Sequence, residues 1–445
     1  MRTPPFLAGY RARPTPAGEE APIPWSIYAM LCGPASAHTG DLIGGIDVVG
    51  PVGGALPTAI ETNYGLILQQ GDTYAWVCHE AVTTPGAVRS PRYHRSTDGV
   101  WLATVSDPEE GRGGRTLFRS TDGCTWEDVD GLSPGVLVSQ AIFAPTDPSR
   151  AWATTAIPGG PNGVLSSSDG GQSWSWDLPE QPGQGFHSVA IHADTVWATS
   201  TDPGGARGSL WRRATEGGWQ EQPVELPKGT EAARLVLVAL DTGAIWLQVD
   251  PIGADTLLHS TDDGVTFSSI PLGGNLSDAD LHDHTLWIIR DGRELLPVVE
   301  GALGAPAPGF FPSTGLYIDA AGMWLPEQSY ITGPLLSRSD DQGQTFEPLA
   351  YPDDISAPLD CPANTQVAEI CAPLWGELVP RIRGFDSPEV DTAADTGLQP
   401  PPPNTDGPAG DGAPGCGCHS GVAGGWGLIG IAALARRRRR RRRPS

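Results

Sequence analysis

Lysine is nearly missing from this 445-residue chain: Lys228 stands alone beside 27 Arg. Basic charge of any kind is scarce. Eight of the 28 basic residues form the run Arg436 to Arg443 and three (Arg2, Arg11, Arg13) precede residue 38, which leaves 17 against 50 acidic residues over 38–435. A body that acidic offers phosphates no basic face, so nucleic acid is excluded as a partner. The charge itself reads as solubility at an exposed site. Long apolar runs are lacking too. The run Val422 to Ala435 has 14 residues, a turn or two short of the ~20 that span a bilayer comfortably. What abounds is Gly (58) and Pro (44) between strand-forming stretches, the composition of an all-β chain.

One phrase recurs: Ser-x-Asp-x-Gly-x-Ser/Thr-aromatic. It is complete at Ser167, Asp169, Gly171 and Trp174, at Ser260, Asp262, Gly264 and Phe267, and at Ser339, Asp341, Gly343 and Phe346. It is one residue short at Ser120, Asp122, Gly123 and Trp126. Each copy follows an apolar strand that carries a Trp, at Trp101, Trp152, Trp246 and Trp324. Two more Trp strands, at Trp197 and Trp287, lack a clean copy; a decayed one ends at Trp219, and none follows Trp287. Upstream, Gly71-Asp72-Thr73-Tyr74 matches the ending of the phrase. The closing aromatics are spaced by 52, 48, 45, 48 and then 79 residues. That spacing predicts seven units of four-strand size, the blades of a β-propeller. Six or eight also fit, because the first and sixth units are weak.

The chemistry of the repeat is local. Ser and Asp side chains bond backbone groups within a turn, Gly supplies a positive φ, and the aromatic turns inward to pack between strands. The unit resembles the Asp-box, or BNR, repeat of sialidases, sortilin-type receptors and photosystem assembly factors, over roughly residues 40–350. The resemblance implies an all-β propeller, and a structural repeat of this kind gives fold without function. Residues 361–385 are expected to pair with early strands at 42–49 and so close the ring, protecting its open sheet edges.

Both ends read as address labels. Residues 1–37 resemble a secretory leader, with basic Arg2, Arg11 and Arg13, a short apolar run from Ile23 to Leu31, and Ala35-Ser36-Ala37 as a small-residue cleavage site. The propeller then occupies 38–385. Residues 386–415, rich in Pro, Gly, Asp and Thr, form a linker that cannot bury enough apolar surface to fold. Residues 416–445 combine Cys416, Gly417 and Cys418 with the short apolar run and the Arg block. This tail resembles the MYXO-CTERM sorting domain of myxobacterial surface proteins. The resemblance implies removal of the tail by a dedicated membrane protease and retention of a lipid-modified Cys416 or Cys418 at the cell surface. A plain short membrane anchor is the alternative.

Four further cysteines, Cys78, Cys124, Cys361 and Cys371, lie in the propeller region of a chain read as exported, an even number suited to disulfides. Of the three connectivities, the expected one pairs Cys361 with Cys371, which is local, and Cys78 with Cys124, in neighbouring repeats.

No residue set compels an enzyme. A sialidase needs three Arg on a carboxylate, a Tyr/Glu nucleophile pair and an Asp acid; here Arg89-Ser90-Pro91 and Arg381-Ile382-Arg383 bear only passing likeness to its motif, and Arg119, Arg212 and Arg338 fall on the rim by register. The triplet His282-Asp283-His284 is a tempting metal site. It occupies the slot that holds His192-Ala193-Asp194 in another repeat, which predicts a turn. Asp262-Asp263 and Asp340-Asp341 lie within the repeated phrase, and no EF-hand loop surrounds them. Cys416-Gly417-Cys418-His419 lacks the spacing of a haem or zinc motif. No metal or cofactor is expected. The sequence therefore reads as an exported binding or scaffold propeller for a protein or glycan ligand, tethered to the membrane by its C-terminal anchor or secreted. A sialidase-like glycoside hydrolase is the competing reading.

Overall fold

The computed structural model describes residues 43–382, apart from segments 51–58, 85–89, 107–110, 112–113, 158–159, 182, 203, 206, 215–216, 228–233, 242 and 251–254. The expected leader, linker and tail, with Cys416 and Cys418, lie outside the described residues. Seven sheets, each built on four antiparallel strands, follow one another along the chain. Blade 1 holds Gly45–Val49, Ala59–Thr62, Gly65–Gln70 and Thr73–Cys78 (β1–β4). Blade 2 holds Arg92–Arg95, Trp101–Thr104, Leu117–Ser120 and Glu127–Asp128 (β5–β8). Blade 3 holds Val138–Phe143, Ala151–Thr155, Val164–Ser167 and Ser175–Leu178 (β9–β12). Blade 4 holds Gly185–His192, Thr195–Thr201, Gly208–Arg213 and Gln220–Val224 (β13–β16). Blade 5 holds Arg234–Asp241, Ala244–Asp250, Thr256–Ser260 and Ser268–Pro271 (β17–β20). Blade 6 holds Leu276–His282, Thr285–Arg290, Glu294–Val299 and Ala302–Leu303 (β21–β24). Blade 7 holds Tyr317–Asp319, Gly322–Pro326, Leu336–Ser339 and Glu347–Ala350 (β25–β28).

First strands of neighbouring blades touch all the way round, and β1 meets β25 and β26, so the seven sheets form a closed ring with the first strands innermost. The apolar core is divided accordingly. Leu102 and Leu117 of blade 2 pack with Val138, Phe143 and Leu165 of blade 3. Trp152 and Val164 of blade 3 pack with Phe186 and Trp211 of blade 4. Each layer is thus buried only when the next blade is in place, as in other stacked repeats.

The repeated phrase builds one loop four times, between the third and fourth strands. In blade 7 the Ser339 hydroxyl donates to Asp341 (2.8 Å) and accepts the Gly343 N–H (2.8 Å), while Asp341 accepts the Thr345 N–H (2.9 Å) and hydroxyl (2.7 Å). Ser260 and Asp262 repeat the pattern on Gly264 and Thr266, and Ser167 and Asp169 on Gly171 and Ser173. The short copy keeps it through Ser120, Asp122 and Gly123. The loop reaches further than its own blade. Trp174 packs against Leu102 and Leu117 of the preceding blade. Gly171, at φ 80°, sits so close to Leu102 that a Cβ there would lie 2.9 Å from it. The loops therefore staple blade to blade, beyond the within-blade role expected of them.

Ring closure departs from the sequence expectation. Among the described residues, 361–382 add no strand to 43–49. The chain leaves β28, turns at Pro352–Asp354, and lays Ile355–Pro358 (β29) parallel to β4 as a fifth, outermost strand of blade 1. It then runs into a π-helical turn at Val367–Cys371 and the helix Ala372–Ile382 (α1). The cysteine pairing is also corrected: the disulfides are Cys78–Cys371 and Cys124–Cys361. The local pair Cys361–Cys371 does not form, because the segment between these residues crosses from the loop of blade 2 to the outer strand of blade 1. Each cysteine meets the blade beneath it. Gln366 and Val367 bond Trp126 and Cys124 of the blade 2 loop alongside the second bridge.

Candidate functional site

The innermost strand of every blade carries a polar residue: Asp47, Arg92, Gln140, His187, Arg234, Asp278 with Asp280, and Tyr317. Free strand edges explain much of this. The inner edge of each sheet has backbone N–H groups with no neighbouring strand, and the preceding blade answers most of them with a side chain. Glu61 accepts the Tyr93 N–H (3.4 Å), His94 Nδ1 the Phe143 N–H (3.3 Å), Gln140 the Val189 N–H (2.8 Å), and Ser188 the Leu237 N–H (2.6 Å). Asp255 accepts the Leu276 N–H at 2.6 Å. Asp278 and Asp280 accept those of Leu316 and Ile318, each at 2.7 Å. At the last seam the Gly45 N–H donates to the Glu327 carbonyl at 2.8 Å.

The electrostatics of this axis are unusual for a surface-lining set. Burial pushes Glu61 up to about 7, opposed by Arg92 and reinforced by Asp47. Burial likewise raises Asp280 to about 7 and Asp278 well above the usual carboxylate range, with Asp47 adding to both. Asp47 belongs to blade 1 and the other two to blade 6, so their charges share the axial space. Arg92 is the counter-ion, 3.2 Å from Glu61 and 3.9 Å from Asp47, with 59% of its side chain exposed. His187 is held neutral by burial and by Arg234, down to about 3. The arrangement suits recognition of a polar or charged ligand at the mouth. It also leaves carboxyl groups that exchange protons near neutral pH.

The residues singled out from sequence fall elsewhere. Ser120, Asp122, Ser167, Asp169, Ser260, Asp262, Ser339 and Asp341 hold loops between third and fourth strands, away from the axis. Arg212 and Arg338 lie over the rings of Trp197 and Trp324, 5.1 and 5.2 Å from their centroids, and Arg119 donates to the Gly170 carbonyl of the next blade at 2.7 Å. None of the three faces the axis. His282-Asp283-His284 is a turn between β21 and β22 with positive φ at Asp283 and His284, and His284 Nδ1 pairs with Asp241 of blade 5. Among the described residues no group of three or more His, Cys, Asp or Glu is placed to hold a metal ion. Arg89 and Arg383 lie outside the described residues. Sequence reading missed Asp47, Glu61, Arg92, Asp278 and Asp280. Its register followed the Trp strands and rim loops, and a polar residue on each first strand was the signal it passed over.

No family model and no curated protein matches the chain. Among solved structures it is similar to YCF48 bound to D1 peptide, at 16% identity over 49% of this chain and 68% of that one, TM-score 0.35. It is similar to a catalytically inactive virginiamycin B lyase from Staphylococcus aureus with quinupristin, at 14% identity over 59% and 83% of the two chains, TM-score 0.41. AztD from Citrobacter koseri matches at 9% identity over 68% and 85%, TM-score 0.41. Likenesses this slight carry no ligand or reaction to this chain, and the seven-bladed propeller stands on its own sheet topology.

Proposed function

We propose that the chain is an exported binding module of the cell envelope, an Asp-box propeller that takes a protein or glycan ligand at its axial mouth. The observation that carries this reading is the half-open polar axis. Asp47 and Arg92 keep 39% and 59% of their side chains exposed while the groups behind them are committed to joining blades. Ligands commonly sit at such concave, loop-bearing positions. Two disulfides in the described residues agree with an oxidising location. Among the described residues no helix is long and apolar enough to cross a membrane. Tethering belongs in this proposal to the MYXO-CTERM-like tail, cut by a sorting protease, with Cys416 or Cys418 carrying the lipid. Mass spectrometry of the mature C-terminus tests that part: an intact Arg436 to Arg443 run would end it.

The binding reading is tested with glycan and peptide arrays probed by the mature protein and by Arg92→Ala and Asp47→Asn. Retention of a ligand by the parent and loss of at least about tenfold in affinity, roughly 1.4 kcal/mol, in both variants is the expected result. A second reading, sialidase-like hydrolysis, draws on Tyr317 and the near-neutral carboxyl groups Glu61 and Asp280. Against it, the inner strands carry only Arg92, Arg95 and Arg234 among the described residues, and Arg92 is engaged by carboxylates. Turnover of a fluorogenic sialoside that Tyr317→Phe abolishes would replace the binding reading with this one.

A further inference from the structure

We propose that the segment from Tyr351 to Ile382 is a two-stage redox latch on the seam where blades 7 and 1 meet. That seam joins the two ends of the ring. The four antiparallel strands of blade 1 come from one stretch of chain and all four of blade 7 from another; the one strand laid across the seam is β29, on the outer edge of blade 1. Near the axis the seam is held by the Gly45 N–H on the Glu327 carbonyl (2.8 Å), the Ser329 hydroxyl on the Ile43 carbonyl, and the Thr314 hydroxyl on the Ile46 carbonyl (3.4 Å). At the rim, only the short turn between β28 and β29 carries blade 7 onto the outer edge of blade 1. The two disulfides then fix that segment to blades 1 and 2.

The two bridges differ in access. Cys361 is partly exposed, between exposed Asp360 and exposed Pro362. Cys78 and Cys371 are both fully buried, under Val367 and Leu378 and against Ala81 and Val82. Thiol–disulfide exchange needs the attacking thiolate to reach a sulfur. A dithiol reductant therefore attacks the Cys361 sulfur first and expels the Cys124 thiolate, which takes up a proton. The reductant's second thiol then displaces Cys361 as a thiol and leaves the reductant as its own disulfide, two electrons having passed to the protein. Only after this step frees the segment from the blade 2 loop does the same sequence reach Cys371–Cys78. With both bridges open, β29 loses its two covalent anchors, both on its C-terminal side, and the seam rests on the three axial contacts and the apolar layer of Ile43, Val48, Ile60 and Leu66 against Trp324, Leu335 and Leu336. Asp47 lies on one side of that seam and Tyr317 on the other, so opening it alters the axial mouth. That consequence rests on the proposed binding site, whereas the latch does not.

The test is a timed reduction of the full-length protein with a dithiol, quenched by alkylation and read by peptide mapping, with amide exchange measured in parallel. Cys124 and Cys361 are expected to label at least about tenfold faster than Cys78 and Cys371, given the access difference. Complete reduction should raise exchange in β1, β25 and β29 while β9, β13 and β17 stay protected. A Cys124→Ser/Cys361→Ser variant, which keeps the buried bridge, should expose Cys78–Cys371 to the reductant at a rate close to that of the second stage in the parent. Equal labelling of both pairs, unchanged exchange in β1 and β25 after full reduction, or simultaneous loss of protection in every blade would each overturn the latch.

Discussion

Gly171 shows how one residue type can satisfy two demands. Its φ of 80° is a conformation that side-chain-bearing residues occupy at a cost, and a Cβ would lie 2.9 Å from the buried Leu102 of the preceding blade. Gly135, at φ 85°, has nothing within 4 Å of the same position. Gly135→Ala should therefore cost about 1–2 kcal/mol from the backbone alone, and Gly171→Ala about 2–4 kcal/mol once crowding is added. Urea titrations of the two variants separate the terms, and equal losses would mean that the loop does not press on its neighbour. The loop carboxylates contribute a further signature. The Thr345 hydroxyl and N–H and the Ser339 hydroxyl hold Asp341 down to about 2. Burial pushes Asp169 up, but the Ser173 hydroxyl and N–H and the Ser167 hydroxyl outweigh it and hold the group at about 2. Groups lowered in the fold stabilise it above their unfolded value, near 3.8, and that support is lost as pH falls towards 2.

At the scale of the element, the acids on the innermost strands and on β2 beside them behave in the opposite sense. Glu61 is 1% exposed and raised from 4.5 to about 7. A group raised in the fold gives its full stabilisation below its unfolded value and loses it as pH rises through the folded one. The protein should thus be most stable near pH 4–5 and lose roughly 3 kcal/mol through Glu61 by pH 8, by the linkage of about 1.4 kcal/mol per pKa unit. Thermal melts across pH 4.5 to 8 check this, with Glu61→Gln expected to flatten the slope. A parent protein whose melting temperature holds level over that range would refute the raised value. These strands also explain why their acids were invisible to sequence reading. Nothing near Asp278 in the chain marks it as special. Its role comes from the Leu316 N–H, 38 residues away on the next blade.

At the scale of the whole molecule, the disulfides turn a string of blades into a covalent ring. The loops they close are nested, 237 residues inside 293. By the chain-entropy model the inner bridge is worth about 5 kcal/mol, and the outer one, which then closes only the remaining 56 or so residues, about 4 kcal/mol. Loss of both in a Cys-to-Ser variant should lower the melting temperature far more than loss of either alone. A melting temperature unchanged by the double loss would show that the axial contacts and the apolar packing between blades 1 and 7 suffice.

Fold class, the blade count near seven, the rim loops and the turn nature of His282-Asp283-His284 follow from the chain alone, because each depends on bonds between residues a few positions apart. Trp strands and Ser-x-Asp-x-Gly loops repeat in the chain since every blade solves the same local problem. Cysteine pairing, the closing segment and the polar axis were decided only by the tertiary structure. The Cys78 partner lies 293 residues away, and the charges of Asp47, Asp278 and Asp280 meet only because seven strands converge on one axis. Such contacts have no spacing to read: curvature of the ring sets them, and curvature is a property of all seven interfaces at once.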